Sequence, residues 1–188
     1  MIRVLAVLVA LACITPALAQ RQTARPVPEA DKENTILIDT TKGQIVIKLR
    51  PDLAPQHVER IKQLARDGFY DNIPFHRVVE GFVAQTGDGQ YFNGMGGSKY
   101  PNMPAEFSKV PFKRGVVGMA LRSGDENSAN SQFFIMLKQT DGLNGKYTVV
   151  GEVTSGMNIV DKLAQGEPPD LPDMMLRVRV AADVTKTQ

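Results

Sequence analysis

Cysteine and histidine are scarce in this chain of 188 residues, which contains only Cys13, His57 and His76. A lone cysteine excludes a disulfide within the chain. No G-x-S-x-G nucleophile elbow and no H-E-x-x-H zinc signature accompany the histidines, so a hydrolase is the least favoured enzyme class. His57 is expected to be a solvated residue of an amphipathic helix.

An excess of one charge sign is also lacking, since 22 lysines and arginines stand against 20 aspartates and glutamates, for a formal net charge of +2. The basic residues form no run, so nucleic acid is not expected as a partner. A hydrophobic content of 43% in a chain of this length is typical of one globular domain with a substantial core.

The apolar run at residues 4–14 is too short for a stable membrane span, because about 11 residues fall short of the ~20 that a bilayer requires. Arg3 precedes this run and Ala17-Leu18-Ala19 follows it, which is the pattern of a secretory signal peptide. We therefore expect residues 1–19 to be removed after Ala19 and the protein to reach the periplasm or an equivalent compartment.

Lipidation of Cys13 is the rival interpretation of this N-terminus. It is less favoured because Ala10 stands where bacterial lipoprotein signals usually have leucine. If residues 1–19 are removed, the mature chain has no thiol, which suits an oxidising compartment.

Residues 20–33 are polar, contain two prolines and have no hydrophobic period, which predicts a flexible linker. The folded domain is expected at residues 34–188. Eight short segments of this domain have the composition and spacing of strands: residues 35–39, 44–49, 75–79, 82–85, 116–120, 133–137, 149–153 and 176–184.

Two segments have the apolar spacing of helices, one from Pro55 to a stop at Gly68 and one that ends at Gly166. Eight short strands in one domain leave unpaired edges unless the sheet closes on itself. The sequence therefore predicts a mainly β fold, a closed eight-stranded antiparallel barrel capped by two α-helices.

The segment 74–88, PFHRVVEGFVAQTGD, combines a fixed cation, aromatic rings and an amide but offers no nucleophile. Strand alternation puts Arg77 on one face and His76 on the other. A bend at Gly81 would bring Phe82 to the Arg77 side. Such a pocket can bind and polarise a peptide. The plainer alternative leaves Arg77 in a surface ion pair and Phe82 in the core.

A second motif spans residues 115–135, where a small polar loop leads into a strand that begins near Gln132. If it is buried, Gln132 needs partners for both its carbonyl and its amino group, and a bound peptide backbone could supply them. An exposed glutamine at the start of a strand is the alternative. The glycine-dense stretch 87–97 lacks the G-x-x-x-x-G-K-[ST] pattern, so it is expected to admit a peptide backbone rather than a phosphate.

Together these segments resemble the cyclophilin family of peptidyl-prolyl cis-trans isomerases. The resemblance runs from about residue 34 to residue 184, with its motifs in the family order. Those motifs are FHRV at 75–78, GF at 81–82, Gln85, GD at 87–88, GMA at 118–120, SQFFI at 131–135 and LNGKYTVVG at 143–151.

The resemblance implies that Arg77 is the catalytic residue. It implies that ten further residues bind the substrate: His76, Phe82, Val83, Gln85, Gly94, Ala120, Gln132, Phe134, Leu143 and Tyr147. Four of these correspond to the hydrophobic proline pocket, namely Phe82, Val83, Phe134 and Leu143. Three correspond to residues that hold the substrate backbone, namely Gln85, Ala120 and Gln132.

Three departures from the family pattern are expected to matter. Val83 stands where many members have methionine, which shortens one wall of the proline pocket. Gly142 replaces a tryptophan that many members use to contact cyclosporin, so weak inhibition by that drug is expected. The loop at 121–127 differs in length and composition from the common one, which leaves Leu121 and Arg122 without an assigned role.

Rotation about an X-Pro bond has a barrier near ~20 kcal/mol, because the prolyl nitrogen shares its lone pair with the carbonyl. That sharing is lost in the twisted transition state, and a guanidinium such as that of Arg77 then binds the nitrogen more strongly than in either planar form. The chemistry requires no metal, nucleotide or other cofactor. His76 is expected to position the site rather than to transfer a proton.

We therefore expect an exported, monomeric peptidyl-prolyl isomerase that assists folding, with proline-containing and unfolded exported polypeptides as partners. A noncatalytic peptide-binding or chaperone module that uses the same groove is the alternative from a different functional class.

Overall fold

The computed structural model describes residues 29–184. Within this range nine strands form one sheet in which all neighbours are antiparallel. The strands are β1 (Thr35–Thr40), β2 (Gly43–Leu49), β3 (Ile73–Pro74), β4 (Arg77–Val79), β5 (Val83–Thr86), β6 (Val116–Met119), β7 (Phe133–Met136), β8 (Val149–Ser155) and β9 (Met174–Val180). The helices are α1 (Pro55–Arg66), α2 (Met157–Val160) and α3 (Ala181–Val184), with 3₁₀ turns at Glu29–Asn34 and Asp141–Leu143.

The sheet is curled, and its two edge strands, β3 and β4, are neighbours in the sequence. Its strand order is β3-β9-β1-β2-β8-β6-β7-β5-β4, and only two residues separate β3 from β4 along the chain. No ladder joins β3 to β4 within residues 29–184. Gly166 lies on the outer edge of β4 and exchanges two backbone hydrogen bonds of 2.9 Å with Val78. The sheet is a nine-stranded half-barrel, so the predicted closed eight-stranded barrel is wrong: a loop, rather than closure, protects this edge.

All eight predicted strands are present, and their ends lie within two residues of the prediction except at the C-terminal strand. There β9 ends at Val180 and the chain turns into α3, where the prediction continued the strand to residue 184. The ninth strand, β3, has two residues and is missing from the prediction. The β1–β2 hairpin turns at Gly43, whose φ of +135° favours glycine.

The two predicted helices differ in how well they match. Helix α1 begins at Pro55 and ends just before Gly68, whose φ is +68°, as predicted. Helix α2 is a single turn of four residues and does not extend to Gly166. Among residues 29–184, no helix combines the length and the apolar character that crossing a membrane would require.

His57 is fully buried in α1, which corrects the expectation of a solvated residue. The carboxylate of Glu106 accepts hydrogen bonds from the backbone amides of Gln56 and His57, at 3.2 and 3.1 Å, and lies 2.7 Å from His57 Nδ1. An acidic residue at the first turn of a helix satisfies amides that have no partner within the helix. This partner lies 49 residues further along the chain, so helical periodicity alone could not indicate it.

The 3₁₀ turn at Glu29–Asn34, which overlaps the C-terminal end of the linker predicted at residues 20–33, is tied to the domain. Lys48 and Asp31 form an ion pair at 3.0 Å, and Arg66 pairs with Glu33 at 3.0 Å. The predicted signal peptide, the cleavage site after Ala19 and most of the predicted linker lie outside the described residues.

The central strands are buried on both faces and divide their side chains between two apolar clusters. Along β7, Phe133 and Ile135 belong to the main core inside the curl, while Phe134 and Met136 belong to a second cluster on its outer face. Helix α1 covers the main core with Val58, Ile61 and Leu64. The second cluster also contains Val83, Phe112, Val116 and Val149. It forms the floor of the candidate site.

Candidate active site

The strand register places Arg77, Gln85 and Phe134 in one row across the outer face of the sheet. Arg77 of β4 lies opposite Gln85 of β5, Gln85 lies opposite Phe134 of β7, and Phe134 lies opposite Gly118 of β6. Directly opposed residues of an antiparallel pair point to the same face. Two motifs about 50 residues apart in sequence therefore meet in one place.

The guanidinium of Arg77 lies over the ring of Phe82, with its Cζ 5.5 Å from the ring centroid. The chain turns at Gly81, whose φ is +64°, and this turn carries Phe82 to the Arg77 side, as predicted. A guanidinium over an aromatic face is attracted to the ring, so Phe82 helps to keep Arg77 in place.

Arg77 also forms a surface ion pair, as the plainer interpretation of its motif expected. Its Nε donates to Glu167 Oε2 at 3.1 Å, and the Glu167 side chain is 55% exposed. Neither Nη atom donates a hydrogen bond to another residue of the described part of the chain. The ion pair thus holds the guanidinium by one edge and leaves its terminal donors available to a ligand. Phe82, in contrast to the plainer interpretation, packs on the second cluster and is not in the main core.

Stacked aromatic rings form the apolar floor beside this arginine. Phe134 stacks on Phe112, with centroids 5.7 Å apart and an interplanar angle of 28°, and Tyr147 meets Phe134 edge-on at 5.5 Å. Gly118 makes this possible, because a Cβ there would lie 2.6 Å from Phe134 Cζ and 2.7 Å from Phe112 Cε1. Leu143 packs against the same cluster, and Val83 lies within it.

Phe112 is a site residue that the sequence analysis missed. It is fully buried, and it is fixed by a hydrogen bond from its amide to Asn144 Oδ1 at 2.8 Å. It lies in an irregular segment next to Pro111, without the periodicity that marks core positions on helices and strands. In the sequence, Phe112 is only an aromatic residue in a loop, and such residues are too common to indicate a functional site.

The two glutamines of the site are bonded to each other and to the glycine-rich loop. Gln85 Nε2 donates to Gln132 Oε1 at 2.9 Å, and Gln132 Nε2 donates to the carbonyls of Gly94 and Gly96, at 2.9 and 2.8 Å. Gln132 is buried, at 8% exposed, so of the two interpretations that the sequence left open the exposed glutamine is wrong. The expectation that a bound peptide satisfies its amide is corrected, because protein groups already do so. Gln132 thus fixes the loop relative to the sheet.

Asp88 holds the glycine-rich loop from within. Its carboxylate is fully buried and accepts hydrogen bonds from the backbone amides of residues 90, 91, 93, 94 and 96, at 2.9–3.2 Å. Burial alone would raise the pKa of Asp88, but the amide hydrogen bonds outweigh it and lower the pKa to about 2. Gly96 is required here, because a Cβ would lie within 2.2 Å of Asp88 Oδ1. The loop is therefore ordered rather than mobile.

His76 lies on the other side of β4 from Arg77, as strand alternation predicts, and is only 3% exposed. Neither ring nitrogen has a hydrogen-bond partner among the described residues. Burial lowers the pKa of His76, Asp88 opposes this, and the positive charge of Arg77 adds to the lowering. The ring is neutral at pH 7 and packs beneath the loop, where a Cβ at Gly94 would lie 3.3 Å from Nε2.

A polar cavity of about 680 Å³ adjoins the apolar floor. Apart from Arg77 and His76, the predicted site residues lie either in this cavity or at the apolar floor. Those that line the cavity are Gln85, Gly94, Ala120 and Gln132. Those that belong to the apolar floor or pack against it are Phe82, Val83, Ala120, Phe134, Leu143 and Tyr147. Ala120 therefore marks the boundary between them.

Gly142 is exposed, with open space around the position of a Cβ, so the wall that a tryptophan would form is absent.

Comparison with known proteins adds independent information. The family described as "Cyclophilin type peptidyl-prolyl cis-trans isomerase/CLD" matches residues 35–182. A protein of Brucella suis biovar 1 (strain 1330), named "Probable peptidyl-prolyl cis-trans isomerase", is 50% identical over 169 residues, which cover 82% of this chain and 86% of that protein. The crystal structure of cyclophilin AquaCyp293 from Hirschia baltica is similar with a TM-score of 0.75 and 29% identity, over 81% of this chain and 76% of that one.

Sequence and fold thus agree on a class, the prolyl isomerases built on a curled antiparallel sheet. The chain belongs to the cyclophilin family of peptidyl-prolyl cis-trans isomerases and is an isomerase, or rotamase, enzyme. Cyclophilins bind proline-containing peptides.

Proposed function

We propose that this enzyme accelerates X-Pro rotation in exported polypeptides and so assists their folding, with Arg77 as the catalytic residue. The observation that carries the proposal is the orientation of the guanidinium, which lies over Phe82 with both Nη atoms unbonded within residues 29–184. It stands in register with Gln85, at the rim of the apolar floor.

The apolar floor accepts the proline ring of the substrate. Phe82, Phe134 and Leu143 present apolar surface to the ring, and the shorter Val83 leaves more room than a methionine would. Apolar walls also displace water from the reacting bond, which strengthens hydrogen bonds made there.

Arg77 lowers the barrier by binding the twisted bond better than the planar one. As the amide loses its resonance, the prolyl nitrogen becomes an acceptor for an Nη–H donor. Each ~1.4 kcal/mol of preference for the twisted form raises the rate about tenfold. The Glu167 contact on Nε holds the guanidinium still, so less reorganisation is needed at the moment of rotation.

His76 supports this geometry without exchanging a proton. It is buried beneath the loop whose carbonyls bind Gln132, and its lowered pKa keeps it neutral. Because His76 exchanges no proton with the substrate in this proposal, we expect a flat pH–rate profile between about pH 5.5 and 8.

The compartment follows from the N-terminal sequence. Residues 1–19 act as a cleavable signal that directs the enzyme to the periplasm or an equivalent compartment, where it acts as a monomer on proline-containing and unfolded exported chains. Mass spectrometry of the mature protein tests this. A chain that begins at Gln20 supports it, whereas a lipid-modified Cys13 contradicts it.

Substitution of Arg77 distinguishes this enzyme from a noncatalytic peptide-binding module that uses the same groove. We expect Arg77→Ala to lower kcat/KM for a proline-containing tetrapeptide by at least about 100-fold, as removal of one transition-state donor does elsewhere. The peptide dissociation constant should change only a few-fold, because the apolar floor is intact. An equal loss of turnover and affinity would favour the binding module. Thermal unfolding of the variant provides the control for folding.

A further inference from the structure

The glycine-rich loop presents an apolar patch to solvent beside the active site. Tyr91 is 64% exposed, Phe92 46% and Met95 78%, and no charged residue occurs between Gly89 and Ser98. Single exposed apolar residues are common on protein surfaces, but three large ones within five residues form a contiguous feature that indicates a contact surface.

The exposure of these side chains is fixed by the backbone. Phe92 has a φ of +58°, a conformation that a bulky residue rarely adopts and keeps only where its surroundings impose it. The amides on either side of Phe92, those of Tyr91 and Asn93, are bonded to the Asp88 carboxylate at 3.0 and 3.2 Å. The patch is therefore held outward and does not collapse onto the domain.

The patch is continuous with the proposed substrate groove. Met95 lines the polar cavity together with Gln85 and Gln132. The carbonyls of Gly94 and Gly96, on either side of Met95, accept hydrogen bonds from Gln132. A polypeptide that leaves the apolar floor past Gln85 must cross this cavity before it meets Met95, and Tyr91 and Phe92 lie further along the same loop.

We propose that Tyr91, Phe92 and Met95, the loop patch, form a docking surface for apolar side chains of an unfolded polypeptide whose X-Pro bond lies over Arg77. This inference rests on the proposed function and specifies its substrate class. An unfolded chain exposes apolar residues on both sides of a proline and is extended enough to span the cavity, at roughly 3.3 Å per residue. The uncharged loop selects for apolar residues and not for a charged motif. A tetrapeptide held at the apolar floor is too short to use the whole surface.

The double variant Tyr91→Ser/Phe92→Asn tests the inference, since asparagine tolerates the left-handed backbone at position 92. Two assays are compared: isomerisation of a proline-containing tetrapeptide, and catalysis of the proline-limited refolding of an unfolded, carboxymethylated protein. We expect the double variant to turn over the tetrapeptide within about twofold of wild type and to catalyse refolding about tenfold less well, because two large aromatic contacts are lost.

Leu176→Ser is the matched control, because Leu176 is 47% exposed on β9, a strand that contributes no residue to the candidate site. It should leave both assays unchanged.

If the double variant refolds the protein at the wild-type rate, or loses tetrapeptide turnover to the same extent, the inference is wrong. If sedimentation shows that wild type self-associates and the double variant does not, the patch is instead an interface between copies of this chain. Arg77→Ala separates the two proposals: full tetrapeptide activity in that variant contradicts the proposed function, whatever the loop patch does.

Discussion

The two apolar clusters on opposite faces of β5, β6 and β7 are built from alternate residues of the same strands, yet they serve different purposes. The main core is closed by α1, and residues such as Ile135 have no exposed surface. The outer cluster is bordered by partly exposed side chains, including Phe82 and Leu143, and carries Arg77 at its rim. The inner face is therefore closed off by a helix, whereas at the outer face the partly exposed side chains that border the cluster are accessible to a ligand.

Substitutions at two neighbouring residues of β7, one from each cluster, should give the largest effects on stability and turnover. Ile135→Ala should lower the free energy of unfolding by about 3–4 kcal/mol, because it leaves a cavity in a closed core. The folded fraction should retain wild-type turnover. Phe134→Ala should cost a similar amount of stability, because Phe134 is only 4% exposed, but it should in addition lower kcat/KM at least tenfold, since it removes part of the apolar floor. Urea denaturation measures the free energy of unfolding of each variant, and tetrapeptide kinetics measure its kcat/KM. Equal kcat/KM values for the two variants would show that the two faces of the sheet are not separate in function.

Gly118→Ala adds a single methyl group where Phe134 and Phe112 converge. The added Cβ would lie under 3 Å from both rings, so the rings must shift, at a cost of about 1–3 kcal/mol in stability. Turnover should fall more than the unfolding free energy suggests, because the floor itself is displaced. Gly142→Ala, in open space nearby, is the control and should change neither quantity.

Glu167→Gln sharpens the role of the ion pair at the rim. Exposed pairs contribute about 0–1 kcal/mol, so the loss should reduce kcat/KM by no more than about fivefold and leave stability unchanged. The effect should appear in kcat rather than in peptide affinity, since the pair orients Arg77 and does not bind substrate. A loss confined to affinity would mean that Glu167 itself contacts the peptide.

The pH dependence of stability should give the smallest effect. The pKa of His76 is lowered in the folded chain, so below about pH 6.5 the unfolded chain binds more protons and stability falls. The slope of unfolding free energy between pH 7.5 and 5.5 should therefore be smaller in His76→Asn than in wild type. Equal slopes would contradict the burial of a neutral ring. His57 is present in both proteins, so any contribution it makes to the slope is the same in each and does not affect the difference.

Local signals predicted much of this molecule. Alternation placed Arg77 and His76 on opposite faces, and the glycine at position 81 indicated the turn that brings Phe82 to the arginine. Long-range contacts could not be predicted in the same way. The loop carbonyls that bind Gln132 come from 36 and 38 residues away, and Gly166 covers an edge of β4 that the sequence suggested would be closed by another strand.

The same limit applies to charged residues that are expected at the surface. Asp173 lies in a proline-rich stretch whose composition is typical of a surface loop, but it is 7% exposed and accepts a hydrogen bond from the amide of Ala164 at 2.8 Å. Its partner side chain is Thr41, 132 residues away. Burial of a polar residue depends on partners that only the fold assembles.

The rate of cis–trans interconversion of a proline peptide bound to the enzyme shows whether Arg77 catalyses the rotation itself. Exchange NMR measures this rate on the bound peptide, separately from affinity. With wild type, catalysis by Arg77 predicts rapid interconversion on the enzyme. With saturating Arg77→Ala, it predicts a bound peptide whose interconversion is at least about 100-fold slower. Equally fast interconversion on the variant would contradict catalysis by the guanidinium.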